Sequence, residues 1–250
     1  MNFFITLQAK KVKKYVFILT LAFVTAWFLF VQYGPGNPVF STSNGPKAVY
    51  KGEKNVALTF NIGWGDEKAP LILDELENSH VKNATFFLSG SWAERHPHIV
   101  KRIQDQGYEI GMLGYNYLDY SQAEDQEVTK DMLKGKESFR KLGIVDIEYV
   151  RAPTGHFDKR FLSIAEKFGY TVVHWSVDSK DWTNPGVTRI LKNINDTKQG
   201  DILLFHASDS AKQTAKALPA VLSVIQEKGL KMVTVSEMIS NSSVKTKEIK

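Results

Sequence analysis

Seven short β-type runs recur along this chain, their onsets roughly 23 to 40 residues apart, with helical patterns between them. They lie near Val56–Phe60, Ala84–Leu88, Tyr108–Met112, Ile147–Val150, Thr171–Trp175, Asp201–Phe205 and Lys231–Val235. This cadence is that of βα units joined by right-handed crossovers. The clearest intervening helix carries Leu218, Val221, Leu222 and Ile225 at i, i+3, i+4 and i+7, a stripe suited to packing on a sheet. The pattern predicts a distorted (β/α) barrel of about seven parallel strands, with a doubly wound open sheet as the alternative.

In such barrels chemistry gathers at the C-terminal ends of the strands, so the residues that follow each run are the candidates. After the first come Asn61, Trp64 and Asp66, and after the third Leu113, Tyr115, Asn116 and Tyr117. Arg151, Pro153 and Gly155 follow the fourth, and Asp178, Asp181 and Trp182 the fifth. His206 follows the sixth, two residues after Leu204. Two acids, an arginine and a histidine converging on one mouth is more than chance usually delivers and marks a candidate site. Other readings stand beside this one. Asp66 equally suits the cap of a helix starting near Glu67, and Arg151 equally suits a structural pairing with Asp66 or Asp178. His96 and His98 read as solvent-exposed, His174 as a packed residue, and His156 as an additional candidate ligand beside Asp66 and His206.

The front of the chain is different. Residues 15–31 carry no charge and follow Lys10, Lys11, Lys13 and Lys14. As a helix that stretch is about 26 Å long, and extension to Tyr33 nearly matches a hydrocarbon core. No small-residue cleavage site ends it, which favours an uncleaved anchor over a signal peptide. The lysines place residues 1–14 in the cytoplasm and the rest of the chain outside. Residues 34–47, rich in Gly, Pro, Ser and Asn, read as a linker, residues 48–240 as the domain, and 241–250 as a polar, frayed tail. The net charge of +5 is mostly that lysine cluster; without it 28 basic residues face 27 acidic ones, which removes the main support for nucleic-acid binding. The absence of cysteine excludes disulfides and thiolate metal sites.

The strand-end residues form a known order of motifs. The chain resembles the polysaccharide deacetylases, the NodB-like carbohydrate esterases, over nearly all of residues 48–240. The family's T-F-D-D-G-P, H-x-x-x-H, R-x-P-x-G, D-x-x-D-W and L-x-H stand here as T-F-N-I-G-W-G-D, L-G-Y-N-Y, R-A-P-T-G, D-S-K-D-W and L-F-H. The W-G-D-E-K-A extension, anchor and tail look closest to the sporulation-associated PdaB-type branch. The resemblance implies hydrolysis of the acetamide of amino sugars in peptidoglycan or a related glycan, with a divalent metal, usually zinc, held by an aspartate and two histidines. It implies that Asn61 stands where the base should be and that Asp66 takes the metal aspartate's role. Leu113 and Tyr117 stand at the two histidine positions, and Arg151 orients the base. The N–H of Thr154 helps bind the oxyanion, Asp181 orients His206 as the proton donor, and Leu204 and Trp182 line the acetyl pocket. Tyr115 and Tyr117 either stack on sugar faces or fill the pocket, and Trp64 is a further candidate for sugar contact.

The departures bear on activity. Leucine has no donor atom, tyrosine no imidazole, and an amide cannot take a proton from water as a carboxylate does. The sequence therefore supports a membrane-anchored peptidoglycan-type deacetylase of wall or spore metabolism with a remodelled site that holds its metal weakly or not at all. Its alternative is a catalytically inactive relative that binds glycan or a partner.

Overall fold

The computed structural model describes residues 13–14, 18–25, 47–240 and 245–247. The chain divides into two compact units, Met1–Val39 and Phe40–Lys250. In the first, residues 18–25 are helical and Ile18, Leu19, Leu21, Phe23 and Val24 are exposed. The expected span over residues 15–33 lies largely outside the described residues, as does the linker before residue 47. Among the described residues no helix is long and apolar enough to cross a membrane.

The strands described in the second unit are β1 (Ala48–Lys51), β2 (Val56–Ile62), β3 (Thr85–Leu88), β4 (Glu109–Met112), β5 (Tyr149–Val150), β6 (Thr171–Val172), β7 (Val177–Asp178), β8 (Ile202–His206), β9 (Met232–Val233) and β10 (Lys245–Lys247). Seven of them run in the spatial order β6-β5-β4-β3-β2-β8-β7, and β9 pairs with the start of β2. Every pairing along that path is parallel, as helical crossovers require. The sheet curls into a half-barrel, which suits the distorted-barrel reading over the flat alternative. Across the gap lies β1, whose Val49 bridges Val173 beyond β6 while Lys51 bridges Asp201 before β8. The Lys51 ammonium also donates to Asp201 at 2.7 Å, so β6 at one end of the path and β8, next to the other end, are tied through one short strand.

The strand β2 is buried on both faces, which explains its near-continuous apolar sequence. Val56, Leu58, Phe60 and Ile62 join the outer core under the helices. Ala57 joins an inner cluster with Val49, Phe87, Leu113, Val173, Ile202 and Val233. Alternation then puts Thr59 and Asn61 on the same inner side, one and two steps nearer the C-terminal rim.

Two expectations need correction. A strand that the sequence concealed, β7, separates Thr171–Val172 from the D-S-K-D-W motif, so Asp181 and Trp182 follow β7 and not β6. Two residues are too few to show a period. The tail is also not wholly frayed: 245–247 pair antiparallel with β1, because main-chain hydrogen bonding at an edge needs no apolar side chains.

Candidate active site

At the centre of the rim, Asn61 and Arg151 are joined. Asn61, the penultimate residue of β2, is in register with His206 on β8 and Phe87 on β3, and it is 3% exposed. Arg151, the residue after β5, is fully buried. Its Nη1 donates to Asn61 Oδ1 at 2.9 Å and to Thr59 Oγ1 at 3.0 Å. Nε reaches the Val173 carbonyl at 3.1 Å, Nη2 reaches that of His174 at 3.0 Å, and the Phe87 ring lies 4.0 Å from Cζ. Burial pulls the guanidinium down to about 9, with only a weak opposing effect from Tyr117, so it is still a cation at neutral pH. The expected partners Asp66 and Asp178 are not the ones it meets. The Arg151 contact also fixes the Asn61 amide, since Oδ1 must be the acceptor.

Beside this pair is a histidine held by a carboxylate. Asp181 is wholly buried and accepts four hydrogen bonds. Two come from His206, through Nδ1 at 2.8 Å and its backbone N–H at 2.8 Å. The others come from the Trp182 N–H at 2.8 Å and the Thr214 hydroxyl at 2.6 Å. With Asp181 as acceptor, Nδ1 carries the proton and Nε2 remains for a ligand. Leu204, two residues before on the same inner face, is 2% exposed.

Three large aromatics stand half out of the surface on the loops that follow β2, β4 and β7. Trp64 is 54% exposed, Tyr117 49% and Trp182 52%. Each loop is clamped by a carboxylate. Asp209 accepts from the N–H groups of Asp66, Glu67 and Lys68, capping the helix α1 (Lys68–Asn78). The Trp92 indole, donating to the Gly65 carbonyl at 2.6 Å, holds the same turn from below. Asp131, buried in the long helix Asp125–Lys141, accepts from the N–H groups of Tyr115 and Asn116 and from the Tyr120 hydroxyl. Tyr117 then lies over Gly63, where a Cβ would strike its ring. Its hydroxyl end is withdrawn from water, which raises its pKa, and Arg151 works weakly the other way. Asp181 itself clamps Trp182. Rigid, spaced aromatics around a polar floor suit a ring-shaped, hydroxyl-rich ligand.

The family model for polysaccharide deacetylases matches residues 48–173. A peptidoglycan-N-acetylglucosamine deacetylase of Bacillus cereus is 35% identical over 191 residues, covering 75% of this chain and 89% of that protein. This chain belongs to the polysaccharide deacetylase family. A further relative, the uncharacterized protein YlxY of Bacillus subtilis, is 32% identical across 79% of this chain and 62% of its own length. Among solved structures, BA3943 of Bacillus anthracis, a pseudoenzyme of carbohydrate esterase family 4, superposes with a TM-score of 0.73. It is 28% identical, with 81% of this chain and 72% of that chain covered. A mutant of it with restored enzymatic activity superposes with a TM-score of 0.72.

Polysaccharide deacetylases generally use a divalent metal, and the residues found at the corresponding positions do not fit one. Leu113 is fully enclosed in the inner apolar cluster and offers no donor. Tyr117 would have to shed a proton it holds more tightly than usual. Asp66 is 58% exposed and lies 3.7 Å from His96 Nδ1, whose pKa burial lowers. It neither caps α1, which Asp209 does, nor bonds to His206. His156 pairs with Asp119 at 3.0 Å and is 72% exposed, so it is no substitute ligand. Counted without a gap, the second aspartate of T-F-D-D-G falls on Ile62, a strand residue paired with Leu88 and fully buried. Among the described residues no group of three His, Asp or Glu side chains could hold a metal.

Thr154 lies in the turn closed by the Gly155 N–H on the Ala152 carbonyl, next to Arg151. Thr59, Asp131, Asp209 and Thr214 were not singled out from the sequence. Thr59 was legible by its period-2 spacing from Asn61, whereas the two clamping aspartates act across 140 and 15 residues or so and leave no local signal.

Proposed function

We propose that this chain binds N-acetylated cell-wall glycan at the strand-end rim that carries Asn61, Arg151 and His206 and does not release acetate from it. The observation that carries this reading is the Asn61–Arg151 hydrogen bond. The position from which the family draws a proton off water holds a neutral amide whose oxygen is already engaged. The deacetylase names of the relatives support the glycan class, and the likeness to BA3943 supports a member of this family without activity. The apolar stretch after the lysine cluster anchors the chain in the membrane and leaves the folded unit on the outer side, facing wall or spore-cortex glycan.

The intact His206–Asp181–Thr214 arrangement favours the competing reading, a slow deacetylase, and one assay separates the two. The full chain in mild detergent is tested for acetate release from N-acetylated peptidoglycan fragments and for glycan binding by calorimetry. We expect no acetate above background and saturable binding that weakens about tenfold in Trp182→Ala, the scale of an exposed aromatic anchor. Acetate release that disappears in His206→Asn would overturn the proposal in favour of the enzyme.

A further inference from the structure

Arg151 is a buried cation that meets no carboxylate among the described residues. Its four hydrogen bonds end on neutral oxygens, those of Thr59, Asn61, Val173 and His174. None of the ion pairs among the described residues includes it. An enclosed charge without a counterion costs several kcal/mol, so something outside the protein is favoured to complete it. A second observation points to the same place. Asn61 is almost wholly buried, and its Nδ2 makes no hydrogen bond among the described residues. The residue sits at the rim end of β2, opposite His206 in register, and its Nδ2 is not sealed from solvent, so its acceptor is water or a ligand that displaces it.

We propose that Asn61 and Arg151 form a carboxylate-recognition point at the centre of the strand-end rim, so that the glycan bound is one whose sugar carries a carboxylate. This rests on the glycan-binding reading above and names its substrate class. The chemistry is cooperative. Arg151 draws on Asn61 Oδ1, which sharpens Nδ2 as a donor. A carboxylate accepts from Nδ2 and also neutralises the field of the guanidinium behind it, whereas a hydroxyl or acetamide oxygen does only the first. Leu113 and the raised-pKa phenol of Tyr117 add no competing anion. The carboxylates that hold the rim loops are already engaged: Asp181 by His206, Asp131 by the Tyr117 loop and Asp209 by α1.

The test uses the full chain in mild detergent and calorimetric titration with three probes. They are an N-acetylglucosamine tetramer, a tetramer of the same length containing N-acetylmuramic acid with free lactyl carboxylates, and sodium acetate. The carboxylated tetramer is expected to bind about tenfold more tightly than the neutral one, the scale of a charge pair at the edge of an interface. Acetate is expected to compete with the carboxylated tetramer and not with the neutral one. In Asn61→Asp, which supplies Arg151 with a permanent anion, the two tetramers are expected to become equal. Equal binding in the unmodified chain, or a preference that persists in Asn61→Asp, would overturn the proposal. So would acetate binding without any preference between the tetramers. If neither tetramer binds, it is the glycan-binding reading itself that fails.

Discussion

Asn61 and aspartate differ by one atom, yet that atom decides whether Arg151 has a counterion. Asn61→Asp is therefore expected to stabilise the protein, because it replaces a charge–dipole contact by a buried, hydrogen-bonded ion pair without changing shape. A gain of about 1–2 kcal/mol corresponds to roughly 3–6 °C in a domain of this size. The new carboxylate beside a guanidinium would have a depressed pKa. Its contribution is thus present above the ordinary carboxylate range near 4 and is lost as pH falls through the depressed value. Thermal melts at pH 7 and pH 3 check this, and a melting point at pH 7 lower than that of the unmodified chain would contradict it. At the same scale, His206 and Asp181 need no such replacement, since the carboxylate already holds Nδ1 and three further donors.

The elements contribute positions more than chemistry. The helix Asp125–Lys141 carries no residue of the cleft, but its Asp131 fixes the loop on which Tyr117 rides, and Tyr120 inserts its hydroxyl into the same carboxylate at 2.7 Å. Gly114 makes room for this arrangement: its φ is +66°, and a Cβ there would run into both Tyr120 and Asp131. Burial, together with the adjacent carboxylate, raises the Tyr120 pKa well above its ordinary value. A raised folded-state pKa means that the stability it contributes is fully present below about pH 10, the unfolded value, and is lost as pH rises beyond it. Tyr120→Phe is expected to cost about 1 kcal/mol at neutral pH through the lost hydrogen bond, and to flatten the fall in stability above pH 10. Urea titrations at pH 7 and pH 10.5 measure both effects. An unchanged alkaline slope would show that Tyr120 is not the group responsible.

For the molecule as a whole, the curled sheet brings the ends of β2, β4, β5, β7 and β8 to one rim, whatever side chains stand there. Such a frame is expected to accept a metal cage if the donors are supplied. We expect Asn61→Asp, Ile62→Asp, Leu113→His and Tyr117→His together to give a protein that retains one zinc per chain by elemental analysis. The same set without Ile62→Asp is expected to bind at least tenfold more weakly, since each lost ligand weakens a four-coordinate site. Equal zinc affinity in the two sets would return the metal aspartate's place to Asp66.

The sequence determined the class of the fold, because strand and helix periodicities are local and repeat often enough to be read. It also determined which chemistry is missing, because Leu113, Tyr117 and Asn61 declare their donor atoms by identity alone. What it could not show is where side chains meet. Asp66 stands in the right motif yet turns outward to His96, while Asp209, some 140 residues away, takes the helix cap that Asp66 was read as providing. The strands β7 and β10 are two and three residues long and exist only through their neighbours. Arg151 was legible as a site residue, but its isolation from any carboxylate is a property of burial, and burial is decided by the tertiary structure.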